Sequence, residues 1–216
     1  MSLLTSARFF TTVAALNQLP RDGLVEVAFV GRSNAGKSSC INILCNRRRL
    51  AFASRTPGRT QALNYFSVGP PDRAVAHLVD TPGYGFASAP LETKKTWDHL
   101  AGHYMHQRPQ LAGVVLLADI RRRLTDLDRR LLAWVPDSLR LAVVLTKSDK
   151  LSRQQGTAAL QEVRSELLQL RALSENHVLL FSALNRSGRD ELTALVENWI
   201  VPGKPPATDS IRADPR

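Results

Sequence analysis

Short apolar and β-branched runs recur along the chain and alternate with longer amphipathic stretches. The segments VEVAFV (25–30), ALNYFSV (62–68), AVAHLVD (74–80), GVVLLAD (113–119), LAVVLT (141–146) and HVLLFS (177–182) read as six strands. Helical segments between most of them give the alternation of an α/β sheet, mostly parallel. The unbroken apolar character of GVVLLA and LAVVL argues for central strands covered on both faces. Three stripes at helical spacing would supply that cover: Leu124, Leu127 and Leu131, then Leu160, Val163, Leu167 and Leu170, then Leu192, Leu195, Val196 and Trp199. The expected layout is an α/β domain over 23–201, an extension (1–22) packed on it, and a Pro-rich tail (202–216) expected to be disordered.

One junction in this pattern carries chemistry. The run EVAFVGRSNAGKSSCIN leads from the first strand through a glycine-bracketed turn into a helix, and fits G-x-x-x-x-G-K-[ST] at Gly31, Gly36, Lys37 and Ser38. Such a loop, formed by Arg32, Ser33, Asn34 and Ala35 and leading into Ser39, turns backbone N–H groups toward phosphate oxygens, and the following helix adds its positive end. Lys37 would reach the β- and γ-phosphates, and Ser38 would offer a hydroxyl to Mg2+. The domain is thus expected to be a three-layer P-loop NTPase.

Further motifs narrow the ligand. Asp80 ends the apolar run of HLVDTPGYG, where a carboxylate can hold Mg2+, and Gly83 offers an N–H to a γ-phosphate only when one is present. Thr81 and Pro82 complete that turn. In VVLTKSDK, Asp149 is placed to accept from guanine N1–H and the exocyclic amine, with the Lys147 stem along the base. Adenine cannot donate that pair, so the carboxylate would discriminate against it. Thr146 and Ser148 flank this motif, and FSALN, with Phe181, Ser182 and Ala183, fits the loop whose backbone contacts guanine O6.

Taken together, the blocks EVAFVGRSNAGKSSCIN, RTPGRTQALNYF, VDTPGYGFA, GVVLLADIRRRLTDLD and LTKSDKL resemble the EngB (YihA/YsxC) family of bacterial GTP-binding proteins, from about Phe9 to Trp199. That resemblance implies a Ras-like fold with a six-stranded mixed sheet, binding of GDP or GTP with Mg2+, action in assembly of the large ribosomal subunit, and a need in cell division and septation. It further implies that Thr56, Pro57, Gly58, Arg59 and Thr60 form a nucleotide-facing segment, with Thr60 completing the Mg2+ shell. Tyr84 follows Gly83 where Ras-like hydrolases carry a Gln that orients water, so slow hydrolysis is expected. Asn34 gives G-x-x-N-x-G-K-S and admits two readings: coordination of K+ in the place of an arginine finger, or a local cap of the loop.

Composition adds a partner. The chain of 216 residues is 44% hydrophobic and 22% charged with a net charge of +10, suited to a polyanionic partner, nucleic acid or an anionic membrane surface, between which bulk charge does not choose, while the resemblance implies ribosomal precursor RNA or protein. The stretch ARFFTTVAALNQLP is too short and polar for a membrane span, so no stable membrane insertion is expected, and a cytoplasmic monomer is. Cys40 and Cys45 suit neither a CxxC redox pair nor zinc and read as buried thiols. His99, His103 and His106 share a helix face but read as solvated rather than metal-binding. Basic clusters lie at Arg47–Arg49, Lys94–Lys95, and Arg121–Arg123 with Arg129 and Arg130. Arg121–Arg123 follow a central strand at the ligand edge of the sheet and read as an RNA-facing rim. A P-loop kinase or ATPase would lack T-K-x-D, and a membrane or division-site adaptor without an RNA role would want an amphipathic anchor.

Overall fold

The structure, a computed structural model, describes residues 2–52, 62–84, 98–171 and 176–201. Seven strands form one sheet: β1 (Arg8–Val13), β2 (Val25–Gly31), β3 (Leu63–Val68), β4 (Ala76–Asp80), β5 (Leu111–Asp119), β6 (Arg140–Thr146) and β7 (Asn176–Leu180), in the order β1-β3-β4-β2-β5-β6-β7. β1 pairs antiparallel with β3 and β3 with β4, while β4, β2, β5, β6 and β7 run parallel.

The six expected strands are β2 to β7, and the seventh, β1, comes from the N-terminal stretch. It escapes the pattern because it is an edge strand with a register shift between Phe9 and Thr11, and Phe9 and Phe10 are half-exposed. The turn before it, Leu3–Ser6, is anchored by Glu197, whose Oε1 accepts from Ser2 Oγ at 2.7 Å and the Leu3 amide at 2.6 Å.

Helices cover both faces: α1 (Lys37–Leu44), α2 (His103–Gln107, after a π-helical turn Asp98–Gly102), α3 (Asp126–Trp134), α4 (Arg153–Leu170) and α5 (Arg189–Ile200). Strand side chains alternate between the two cores. Val27, Phe29, Val115 and Leu117 pack with Cys40, Ile41, Leu192, Val196 and Trp199 of α1 and α5. Ala28, Val30, Val114 and Leu116 face α2, α3 and α4 through Tyr104, Leu131, Ala159, Val163 and Leu167. Two stripe assignments fail: Leu127 is 38% and Leu170 45% exposed. The buried face of α3 instead runs through Asp128, Leu131 and Leu132, and that of α4 through Gly156, Ala159, Val163 and Leu167. Leu124 is buried, but it precedes α3.

Among the described residues, several charged side chains are buried, and one has no exposure at all. Glu26 of β2 has no exposure and accepts from Arg108 Nε at 2.9 Å, Tyr104 Oη at 2.8 Å and Tyr65 Oη at 3.3 Å. A carboxylate taken out of water needs such partners, and the cluster fastens the end of α2 beneath the central strand.

Candidate functional site

The carboxyl ends of β2, β4, β5 and β6 converge on one edge of the sheet. β2 ends at Gly31, where a Cβ would stand 2.7 Å from the Leu117 carbonyl, so only glycine lets the strands stay paired. The turn then passes through Asn34 at φ 63° and Gly36 at φ 94° before α1 begins at Lys37. The left-handed region suits glycine and, among other residues, asparagine. That conformation gives Asn34 a backbone role that neither expected reading included, and its side chain makes no hydrogen bond among the described residues.

Two side chains from the end of β6 hold the turn from outside. Thr146 Oγ1 donates to the Ala35 carbonyl at 2.6 Å, and Lys147 Nζ donates to the Asn34 carbonyl at 2.9 Å. With those carbonyls fixed outward, the turn's amides other than those of Ser33 and Ala35, which donate within the protein, are left to face an anion. Inside it, Lys37 Nζ lies 2.7 Å from Asp80 Oδ1, and both side chains are nearly buried, at 12% and 7% exposure. Ser38 is buried beside them at the start of α1, and Ser39 is exposed.

The DTPGY segment is laced to the turn. The Thr81 amide and hydroxyl both donate to the Phe29 carbonyl, the Tyr84 amide donates to the Gly31 carbonyl at 3.3 Å, and the Ser33 amide donates to the Tyr84 carbonyl at 3.1 Å. Arg32 and Tyr84 thus form a parallel bridge with Pro82 and Gly83 enclosed. The Tyr84 hydroxyl is buried and donates to Asp128 Oδ1 at 2.6 Å, and burial first, then Asp128, pushes its pKa far up. Asp128 Oδ2 accepts from the Thr125 amide and hydroxyl, the reciprocal cap of α3.

At the other end, Lys147 sits at φ 59° and its ammonium also meets Asp119 Oδ2 at 2.9 Å. Asp119 accepts Arg121 in a fork, Nε at 2.9 Å and Nη2 at 2.7 Å. That guanidinium, with Lys147 and the Arg121 amide, holds the Asp119 carboxyl far below the usual carboxylate range against the opposing effect of burial. Asp149 Oδ1 accepts the Ser182 hydroxyl at 2.5 Å, a bond that leads in holding its pKa down. The Ser148 amide donates to the Phe181 carbonyl at 3.1 Å, which docks the FSALN turn onto TKSD. Phe181 enters this site through its backbone alone, since its ring is buried in the core, while Ala183 is exposed.

The sequence-selected residues of the phosphate turn, Asp80 to Gly83, Thr146 to Asp149, and Phe181 to Ala183 therefore lie along one edge. Thr56, Pro57, Gly58, Arg59 and Thr60, Lys94 and Lys95, and the tail 202–216 lie outside the described residues. Asp119 and Asp128 were missed. An acidic end on β5, one strand removed from Asp80's β4, and a T-x-x-D cap were the signals available. Elsewhere, Cys40 and Cys45 are buried and unpaired; burial pushes the Cys40 thiol far up and that of Cys45 to about 12. Among the described residues no group of three His, Cys, Asp or Glu could hold a metal ion, and His106 meets Trp134 edge-on. No described helix is long and apolar enough to cross a membrane.

Comparison with known proteins agrees with this geometry. A family model described as 50S ribosome-binding GTPase matches residues 26–147. The chain is 51% identical over 212 residues to a probable GTP-binding protein EngB of Paraburkholderia xenovorans, covering 96% of this chain and 98% of that protein. A probable EngB of Burkholderia pseudomallei is 52% identical over 215 residues, covering 98% and 97%. In fold, a crystal structure of a probable EngB superposes with TM-score 0.58 at 19% identity, over 82% of this chain and 98% of the other. Era from Aquifex aeolicus bound to GDP.AlF4- superposes with TM-score 0.66 at 18% identity, over 84% and 58%. With about half of its residues identical to EngB proteins over nearly its whole length and the GTPase model matching 26–147, the chain is a P-loop GTPase and belongs to the EngB family of GTP-binding proteins.

Proposed function

We propose that this GTPase is a slow, cytoplasmic, monomeric switch whose GTP form docks on precursors of the large ribosomal subunit and whose GDP form leaves. The observation that carries the reading is the Lys37–Asp80 pair at 2.7 Å, a cation and an anion from different elements meeting where phosphate and metal would arrive together. A nearly buried carboxylate beside a buried hydroxyl fits Mg2+, which Ser38 and Asp80 would hold together with Thr60. Bound there, the metal would neutralise charge on the β- and γ-phosphates. Lys37 would turn to the phosphates, the amides of Asn34 and of Gly36 to Ser38 would cradle them, and Gly83 would register the γ-phosphate. Asp149 would select guanine, with Lys147 along its face and the Ser182–Ala183 backbone at O6.

Slow hydrolysis follows from Tyr84, whose hydroxyl is engaged by Asp128 rather than turned to a water. Asn34 would offer its side-chain oxygen to K+ in the transition state, the reading we adopt over a local cap because no hydrogen bond among the described residues occupies it. A net charge of +10 and the match to a family described as 50S ribosome-binding support the ribosomal partner. A role in cell division is read as following from ribosome supply. Depleting the protein from cells that encode it tests this: accumulation of large-subunit precursors on a sucrose gradient before any septation defect is expected. A septation defect with an unchanged gradient would favour the division-site adaptor.

A further inference from the structure

A groove of about 260 Å³ lies on the outer flank of the phosphate loop, between it and the turn joining β5 to α3. Arg32, Asn34, Asp119, Arg121, Arg122 and Asp128 are among its lining residues. It is smaller than the roughly 300–1,000 Å³ of a small-molecule pocket, a size for one anionic group of a larger ligand. Its acids are occupied. Asp128 takes Tyr84 on one oxygen and Thr125 on the other, and Asp119 takes Arg121 on both and Lys147 on one. Two unpartnered groups are cationic: Arg32 Nε is buried without a hydrogen-bond partner, and the exposed Arg122 side chain makes neither hydrogen bond nor ion pair among the described residues. Arginine forks match phosphate oxygens in pairs.

We propose that this groove binds a backbone phosphate of the partner RNA through Arg122 and Arg32, and that its occupancy tightens guanine-nucleotide binding through Asp119; the proposal rests on the ribosomal reading above. The linkage follows from shared contacts. Arg121, 52% exposed, and Lys147 are held by the same carboxylate, and Lys147 also grips the Asn34 carbonyl of the phosphate loop. A phosphate in the groove draws Arg121 outward and leaves Asp119 to Lys147 alone. That fixes the lysine stem over which the base lies. Linkage makes the effect reciprocal, so guanine nucleotide tightens RNA binding by the same factor.

The test uses the full chain loaded with a non-hydrolysable GTP analogue and a labelled 20-nucleotide oligouridylate, followed by fluorescence anisotropy over a salt series. Arg122→Ala is expected to weaken RNA binding about fivefold and lower the log–log salt slope by about one. Arg130→Ala, on α3 outside the groove, is expected to do neither, and thermal melts establish that both variants fold. In a second measurement, the RNA raises affinity for a fluorescent, non-hydrolysable GTP analogue about fivefold, the low end of usual coupling. Arg121→Ala removes that gain, and inorganic phosphate at equal phosphate concentration does not reproduce it. Equal RNA binding by the parent and Arg122→Ala, or no binding by the parent, overturns the site. An equal effect of inorganic phosphate overturns the RNA assignment. If ribosomal particles still bind in either case, the groove fails and the ribosomal reading stands; if particles fail to bind, that reading fails first.

Discussion

Lys147 and Asp119, at the ends of neighbouring parallel strands, meet at 2.9 Å, and the same ammonium donates to the Asn34 carbonyl at 2.9 Å. One side chain thereby ties the base end of the site to the phosphate turn. Damage at either end is expected to reach the other, and each prediction below separates the two.

Asp149→Asn is expected to weaken GDP binding about 100-fold, the cost of roughly 3 kcal/mol when a charged acceptor loses its donors. Preference should move to xanthine nucleotides, whose carbonyl accepts from the new amide. Fluorescent-nucleotide titration with both bases checks this, and equal GDP affinity in parent and variant removes the guanine assignment.

Lys37→Ala leaves Asp80 nearly buried without its cation. The nucleotide-free protein should lose about 3 kcal/mol in urea unfolding. Lys37→Ala with Asp80→Asn should recover most of that loss without recovering nucleotide binding. Equal stability of the single variant and parent would place no stabilising pair in the loop.

Replacing Na+ by K+ at fixed ionic strength should speed single-turnover phosphate release. Asn34→Gly keeps the left-handed backbone open to the turn while deleting the amide, so it should bind GTP and lose the K+ effect. A K+ effect that survives in the glycine variant assigns Asn34 a backbone role alone.

Acid should unfold the protein in a defined window. Burial would raise Asp22, but hydrogen bonds from His77 and the Leu24 amide hold it below the ordinary range, and Asp119 lies far below it. Carboxylates depressed in the folded state bind fewer protons there than in the unfolded chain. Their stabilisation is complete above about pH 4 and is lost as pH falls through the folded values. Urea midpoints between pH 7 and pH 3 should fall below about pH 4, and Asp119→Asn should shallow that limb; a midpoint independent of pH contradicts it.

What could be read beforehand depended on how local its cause was. The six covered strands announce themselves because both faces of each meet apolar partners, whereas β1, at an edge with Phe9 and Phe10 half-exposed, carries no alternation to read. Leu127 and Leu170 fit a helical period, yet which arc of a helix meets the sheet is fixed by the sheet's curvature and the connecting turns. The phosphate turn and TKSD were legible because their chemistry lies in consecutive residues. Tyr84–Asp128 and Arg108–Glu26 join residues 44 and 82 apart, and no short stretch encodes such meetings.

The central claim is that nucleotide state controls docking on the large ribosomal subunit. Sedimentation of the purified protein with large subunits, in excess GDP or a non-hydrolysable GTP analogue, tests it directly. We predict that the protein pellets with the subunit in the analogue, at least tenfold more tightly than in GDP, a difference of about 1.4 kcal/mol, and is released as salt rises. Equal pelleting in both nucleotides, or none in either, contradicts the account.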